Sequence, residues 1–458
     1  MNAPISPERV LPTLNADGTR NRIRPRLYPG RLHRRRRVLG WSLITLFVGL
    51  PFLRIGGEPA MLLDVIERKF HLFGRTFLAT DGVLLMLLML SIFGTVIWTT
   101  ALVGRAWCGW GCPQTVYMEF LFRPIERFFE GKREDQLRID KNGITWRRVA
   151  KNAVFLLLAG VLGNVFLSYF VGVRVLGRWM TQAPSEHPGG FLVMAVTAGL
   201  VFFDFAYFRE QMCTIICPYA RLQSVLLDQR SLIIGYDEKR GEPRRKGKPQ
   251  PGNGDCIDCS ACVVACPTGI DIRNGLQLDC IACGQCVDAC DTIMGKIAKP
   301  SGLIRYASQE SLRTGKPNRF FRPRVAIYSA LLLALFTTLA LVGQKPKADV
   351  TLLRGIGAPF TETGGMAVNQ IRIKVQNRSD AAQSYRIELV EPGEARLIAP
   401  ENPLAVAAGE QRATSVFVSL SAQSFVGGER HALFRISDGH GFSSDVRYEL
   451  LGPEGKKP

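Results

Sequence analysis

The chain has 458 residues, 47% of them hydrophobic, and a formal net charge of +19 at pH 7. That length exceeds one ordinary domain, and so apolar a chain with so large a charge excess does not describe a single soluble globule. Most of the excess flanks apolar runs instead of forming the basic face of a folded module, which argues against a nucleic-acid partner.

Residues 1–37 form a basic segment, with nine Lys or Arg between Arg20 and Arg37. Five apolar runs follow: VLGWSLITLFVGLPFL (38–53), VLLMLLMLSIFGTVIWTTALV (83–103), VFLLLAGVLGNVFLSYFVGV (154–173), FLVMAVTAGLVFFDFAYF (191–208) and VAIYSALLLALFTTLALV (325–342). Crossing a bilayer takes about 20 apolar residues. The second and third runs reach that length, the fourth and fifth lie at its short end, and the first is broken by Pro51. RLHRRRR ahead of the first run has the look of a signal-peptide head, even a twin-arginine one, but no A-x-A-like cleavage site follows. Five membrane helices are therefore expected, four within 38–230 and the fifth at 324–343. MLLDVIERKFHLFG, between the first two runs, reads as an interfacial helix.

Charge sets the expected topology. Ten Lys or Arg lie between Arg105 and Lys151, whereas the loop from Arg54 to Arg75 has four, offset by Glu58, Asp64 and Glu67. Positive loops stay in the cytoplasm, so the amino terminus and the 105–151 loop are placed inside. An odd number of crossings then leaves the carboxyl-terminal region outside.

Two C-x3-C-P motifs follow the second and fourth runs: Cys108 and Cys112 in RAWCGWGCPQTVY, and Cys213 and Cys217 in EQMCTIICPYARLQ. If a helix continues through the motif, x3 spacing puts two thiols on one face a turn apart, and the proline bends or ends the helix there. Two such corners at one membrane depth could gather four thiolates, which suit Cu(I) and also zinc or iron-sulfur. Structural cysteine pairs and redox-active disulfides remain alternatives at this point. Asp204 and Asn164 lie within runs, where ionisable groups are functional candidates, although Asp204 also reads as an interfacial residue. His71 and His187 sit in outside loops and are left out of the site.

DEKRGEPRRKGKPQPGNGD (237–255) reads as a mobile linker into a cluster domain spanning 231–323. Cys256, Cys259, Cys262 and Cys266 have the spacing C-x2-C-x2-C-x3-C, and Cys280, Cys283, Cys286 and Cys290 repeat it after thirteen residues. That is the two-cluster ferredoxin pattern, in which the fourth cysteine of each run serves the other cluster. One 4Fe-4S cluster is therefore assigned to Cys256, Cys259, Cys262 and Cys290, the second to Cys280, Cys283, Cys286 and Cys266. Paired zinc knuckles seldom use two such quartets in tandem. Pro267 follows the first run as the pattern expects, while Asp291 replaces the second proline.

From 344 to 458 the period changes to two. Ile371, Ile373 and Val375 alternate with polar residues in NQIRIKVQNRSD, as do Tyr385, Ile387 and Leu389 in QSYRIELVEPG. About seven short strands between turn clusters read as an immunoglobulin-like β-sandwich without cysteines. His431 and His440 could meet copper outside the membrane but lack a companion ligand motif, and such a sandwich serves as a docking or spacing module.

WCGWGCPQTVYMEFLFRPIE, CTIICPYARLQSVL, the paired quartets and the sandwich, in that order, resemble the CcoG/FixG/RdxA family of cytochrome c oxidase accessory proteins over nearly the whole chain after the first thirty or so residues. The resemblance implies a multi-domain membrane protein, a helical bundle with an inserted α+β ferredoxin domain and an all-β tail, that reduces Cu(II) to Cu(I) for the copper centre of a cbb3-type oxidase. It implies copper and catalytic roles for Cys108, Cys112, Cys213 and Cys217, an unidentified cytoplasmic electron donor, and oxidase subunits or a copper chaperone or transporter as partners; homo-oligomerisation stays open. C-x3-C-P pairs with a ferredoxin also resemble quinol-linked subunits such as NapH, and a third reading is an assembly scaffold whose clusters only sense redox state.

Overall fold

The computed structural model describes residues 9–15, 17, 19–55, 58–65, 69–72, 75–78, 82–143, 145–245, 252–318, 322–342, 347–379, 381–439 and 441–453. The chain divides into two compact units, Met1–Leu339 and Ala340–Pro458.

In the first unit five long helices form: α1 (Arg31–Gly49), α2 (Gly82–Val103), α3 (Trp146–Val171), α4 (Pro188–Phe203) and α5 (Pro323–Val342). Four stretches among the described residues, not the expected five, are long and apolar enough to cross a membrane: Gly82–Val103, Trp146–Val171, Pro188–Phe208 and Pro323–Leu341. The helix that falls short is α1. Five of its first seven residues are arginine, so only Val38 to Gly49 is apolar, about 18 Å at 1.5 Å per residue, against a hydrocarbon thickness of about 30 Å. Four is an even number, so the counting argument for an outward carboxyl-terminal region falls.

The helix α1 nevertheless has firm anchors at both ends. Its first backbone amides, Leu32 N and His33 N, donate to the Asp288 carboxylate at 3.1 and 2.7 Å, which satisfies donors that a helix start leaves open. Near its other end the Tyr169 hydroxyl of α3 donates to Phe47 O at 2.6 Å. Ile44, Phe120, Phe122, Phe155 and Phe205 form the buried core between these helices. The helices α2 and α5 meet through Trp98 Nε1, which donates to Ser329 Oγ at 2.8 Å.

The expected interfacial helix is instead a three-stranded antiparallel sheet, Met61–Asp64, Lys69–Leu72 and Arg75–Leu78. Pairing of Met61 with Leu72 and Leu63 with Phe70 satisfies the backbone locally, and a short apolar run does not by itself choose between helix and strand. The described ends of the linker are tied down rather than free: Arg240 Nε donates to Asp255 at 2.5 Å and Lys299 Nζ to the same carboxylate at 2.7 Å. Residues 246–251 lie outside the described residues.

The second unit is a β-sandwich of nine strands among the described residues, two more than the sequence pattern counts. They are β1 (Ala348–Arg354), β2 (Thr361–Thr363), β3 (Met366–Asn377), β4 (Gln383–Glu391), β5 (Arg396–Ile398), β6 (Leu404–Val406), β7 (Gln411–Ser421), β8 (Glu429–Ser437) and β9 (Ser443–Leu451). One sheet runs β1-β3-β7-β5, with β2 also on β3, and the other β6-β4-β8-β9. Ile371, Ile373 and Val375 are fully buried and Tyr385 and Ile387 nearly so, in one core with Val416, Val418 and Phe434. Three of the strands, β2, β5 and β6, are three residues each, too short for an alternating pattern to declare itself.

Candidate redox site

The two cysteine quartets fold as repeats of one loop. Asp258 and Ser260 have φ of 51° and 53°, and the equivalent positions of the second quartet, Ala282 and Gly284, have φ of 52° and 77°. Left-handed residues placed twice between the cysteines curl each loop around a point, and three of these four positions hold side chains that seldom accept that conformation. One cavity is lined by Cys256, Cys259, Cys262 and Cys290, and another by Cys262, Cys266, Cys280, Cys283 and Cys286. The fourth cysteine of each run, Cys266 and Cys290, lines the cavity of the other run. Each cavity has the donor set that a 4Fe-4S cluster needs. Among the described residues no three His, Cys, Asp or Glu converge on a single metal ion, in the quartets or at the corners. Asp291, in the second proline's place, accepts from Gly302 N at 2.8 Å and so fastens a turn.

The corners share another design. Cys108 lies in the short helix Ala106–Trp110, and Cys112 is the extended residue before the helix Pro113–Tyr117. Cys213 lies in the wide turn Met212–Ile216, and Cys217 precedes the helix Pro218–Leu226 in the same extended way. The helix does not continue through either motif, contrary to the one-face expectation, because proline pushes the residue before it out of the helical region. The four thiols instead come within electrostatic reach of one another across the two corners. Burial raises the Cys108 thiol to about 11 and Cys213 to about 12.

Two glutamines clasp the corners together. Gln223, fully buried, accepts from Cys108 Sγ at 2.9 Å, while its amide donates to Tyr219 OH at 2.6 Å and Thr100 Oγ1 at 3.1 Å. Gln114 donates to Asp204 Oδ1 at 3.0 Å and to Arg209 O at 3.1 Å. Asp204 is thereby a clamp beside the second corner. Arg209 has φ 56° and ψ −122°, a strained backbone for a residue with a Cβ, and its guanidinium binds Glu126 in a fork at 2.7 and 2.9 Å.

The corners touch the second quartet directly. Cys108, Ile281 and Cys283 form one buried cluster, with Cys213 and Tyr219 against it. Gly109 allows this approach: a Cβ there would lie 2.6 Å from Ile281 O and 2.8 Å from Cys283 N and Cα. Trp110 Nε1 donates to Tyr306 OH at 3.0 Å, which donates to Ala282 O at 2.6 Å. Arg36, 1% exposed, donates from Nε to Gly109 O at 2.9 Å, and Arg105 donates to Leu278 O. Gln285, beside Cys286, donates to Glu119 Oε1 at 2.6 Å. Burial alone would raise the Glu119 carboxyl, but the guanidiniums of Arg123 and Arg36 and this hydrogen bond hold it at about 2.

Sequence reasoning missed Arg36, Arg105, Gln114, Gln223 and Glu119. The glutamines lie inside the corner motifs CPQ and CPYARLQ, so a polar residue shortly after each C-P was the available signal. Arg36 stood in a run that reads as a topology signal. Of the residues set aside, Asn164 donates to Gly160 O within its own helix. His187 contacts Gln182 and Trp179 at the far end of α4 from the corner. His71 stands opposite Leu62 and Thr76 in the register of the 61–78 sheet. His431 is exposed and lies 3.8 Å from Glu449, and His440 lies outside the described residues.

A dicluster loop set on membrane-spanning helices defines a membrane-bound iron-sulfur protein. Family models agree: a 4Fe-4S dicluster domain matches residues 208–309, a 4Fe-4S binding domain 85–133, and the IG-like fold at the C-terminal of FixG, described as that of an oxidoreductase, 338–453. The chain is 34% identical to Protein RdxA of Cereibacter sphaeroides over 79% of its length and 81% of the relative's. It is 34% identical to Protein RdxB of the same organism over 83% and 85%, and 35% identical to Nitrogen fixation protein FixG of Rhizobium meliloti over 65% and 60%. The crystal structure of a FixG-related protein from Vibrio parahaemolyticus matches with a TM-score of 0.22 and 14% identity, covering 24% of this chain and 98% of that one. This chain belongs to the RdxA/FixG family.

Proposed function

We propose that this protein reduces Cu(II) to Cu(I) and supplies the reduced ion for assembly of the copper centre of a cbb3-type cytochrome c oxidase. The observation that carries the reading is the packing of Cys108 and Cys213 against Ile281 and Cys283, which puts a four-thiol group beside one cysteine quartet. In this reading Cys256, Cys259, Cys262 and Cys290 hold one 4Fe-4S cluster, and Cys266, Cys280, Cys283 and Cys286 hold the other. Bound there, the clusters store and deliver single electrons. The corner thiolates take Cu(II) as substrate, and each turnover consumes one electron, Cu(II) becoming Cu(I). Soft thiolates favour the reduced ion, so binding at the corners makes the reduction more downhill. The electron comes from an unidentified cytoplasmic donor, and Cu(I) leaves to an oxidase subunit or a copper chaperone.

The arginine-rich start of α1 and the basic 105–151 loop lie on the cluster side, which supports a cytoplasmic cluster domain in a bacterial inner membrane. The helix α5 begins on that side, where Arg322 pairs with Asp228 at 2.6 Å, and as a span it leads to the periplasmic side, where the carboxyl-terminal region is placed.

The test is anaerobic. The clusters are reduced, one equivalent of Cu(II) is added, cluster oxidation is followed optically, and Cu(I) is captured by a chelator. Stoichiometric Cu(I) with matching oxidation, slowed when all four corner cysteines are replaced by serine, supports the proposal. Quinone-dependent oxidation without a copper response favours a NapH-like electron carrier, and a cluster-free variant that still supports oxidase assembly favours a scaffold. A second reading of the corners is a third 4Fe-4S cluster, because the 4Fe-4S binding model covers Cys108 and Cys112. It predicts about twelve iron atoms per chain instead of about eight, four per cluster.

A further inference from the structure

We propose a separate binding site for a phosphate ester anion, supplied by an anionic phospholipid, between the starts and ends of neighbouring spans on the cluster side. It does not depend on what the thiols bind. A cavity of about 260 Å³ lies between the segment 20–24, the first turns of α3 and the chain leaving α4. Six basic side chains line it: Arg20, Arg22, Arg24, Arg148, Lys151 and Arg209. Four carboxylates pair with them, Glu126, Glu130, Asp140 and Glu210, of which Glu210 reaches the cavity wall itself. The cations therefore exceed the carboxylates by two, the charge of a phosphate monoester dianion or of two phosphodiesters.

The hydrogen-bonding state points the same way. Arg209 is 6% exposed and lines the cavity, its Nε 3.6 Å from Glu210 Oε2, and Arg20 Nε has no hydrogen-bond partner. A buried guanidinium donor left open costs free energy unless an acceptor arrives, and a phosphate oxygen is a strong acceptor for it. The position selects the source. Trp146, 78% exposed, opens α3 one turn from Lys151, and Tyr207, 53% exposed, lies under the Arg20 guanidinium at 5.2 Å. Exposed aromatics at a span's end mark the headgroup level, where basic pockets between helices hold anionic headgroups. Phe202 and Ala206 on the cavity wall offer an apolar path for the start of an acyl chain.

The experiment uses the full-length protein, purified in detergent and stripped of lipid. Native mass spectrometry and thermal melting are recorded with phosphatidylglycerol, with phosphatidylcholine of the same chains, or with inorganic phosphate. Phosphatidylglycerol is expected to bind and stabilise well beyond phosphatidylcholine, and Arg22→Gln to weaken it about fivefold. That change leaves Asp140 paired with Arg24 and Arg148, so the fold is kept. Asn152→Leu alters no charge but fills the cavity, and it should weaken binding too. Equal stabilisation by inorganic phosphate would confirm the anion site and make free phosphate its source. Equal binding of both lipids with no response to phosphate, or binding untouched by either variant, would overturn the proposal.

Discussion

At Gly109 the cost of a single methyl group can be read from what surrounds it. Its hydrogen faces backbone atoms of Ile281 and Cys283 on the cluster loop, which cannot rotate away as a side chain would. Gly109→Ala should therefore push the first corner off the second quartet and slow Cu(II)-driven cluster oxidation at least tenfold in stopped-flow, while iron content stays that of the wild type. Gly111→Ala is the control, since there the atoms nearest the added methyl belong to the ring of Trp107, 48% exposed and able to swing away, and its rate should change little. The thiols make a second prediction. Burial holds Cys108 near 11 and Cys213 near 12, so without metal both are protonated at neutral pH, and binding must expel those protons. Apparent Cu(I) affinity, measured by chelator competition from pH 6 to 8.5, should rise with pH, about tenfold per unit for each thiol deprotonated. A flat profile would remove these thiols from the ligand set.

Between elements, polar contacts that dock the cluster domain include the cap of α1 by Asp288 and the Glu119 to Gln285 bridge. The Glu119 carboxyl is held at about 2 against an ordinary 4.5. Its folded form is thus the stronger acid, and the stabilisation is fully present above pH 4.5 and lost as pH falls toward 2. Glu119→Gln should remove that acid dependence and leave Arg123 and Arg36 poorly compensated in a buried place, at a cost of about 3 kcal/mol or more. Hydrogen exchange in the 280–296 region should quicken in this variant at neutral pH. In the sandwich, the buried Asn377 amide donates to Ala381 O and Val406 O and its oxygen accepts from Tyr385 OH. Asn377→Ala should lower the melting transition of the carboxyl-terminal unit, a loss of about 2 kcal/mol, without altering the cluster spectrum.

For the whole molecule, topology is the testable consequence. A protease added to spheroplasts should remove a carboxyl-terminal tag and leave a tag in the 237–255 linker intact; the reverse pattern would invert the proposed orientation. The order of parts was legible because each rests on a local periodicity or spacing: apolar length for the spans, period two for the sandwich, x2-x2-x3 for the quartets and C-x3-C-P for the corners. Where two local patterns compete, as in 61–78, the sequence reading chose helix and the chain forms strands. Cys266 and Cys290 line the cavity of the opposite run, because the repeat itself carries that symmetry. What no local pattern carries is which distant groups meet. The burial of Arg36 from an arginine run, the clasp of Gln223 on Cys108, the strained fork of Arg209 on Glu126 and the contact of Gly109 with Cys283 each join residues 73 or more apart in sequence. The sequence by itself determined the donor atoms and the apolar lengths, the short apolar part of α1 among them, which are properties of neighbouring residues; only the tertiary structure decided that the corner thiols sit against one quartet and that Arg36 is buried against Gly109, since both depend on how separate segments share one interior.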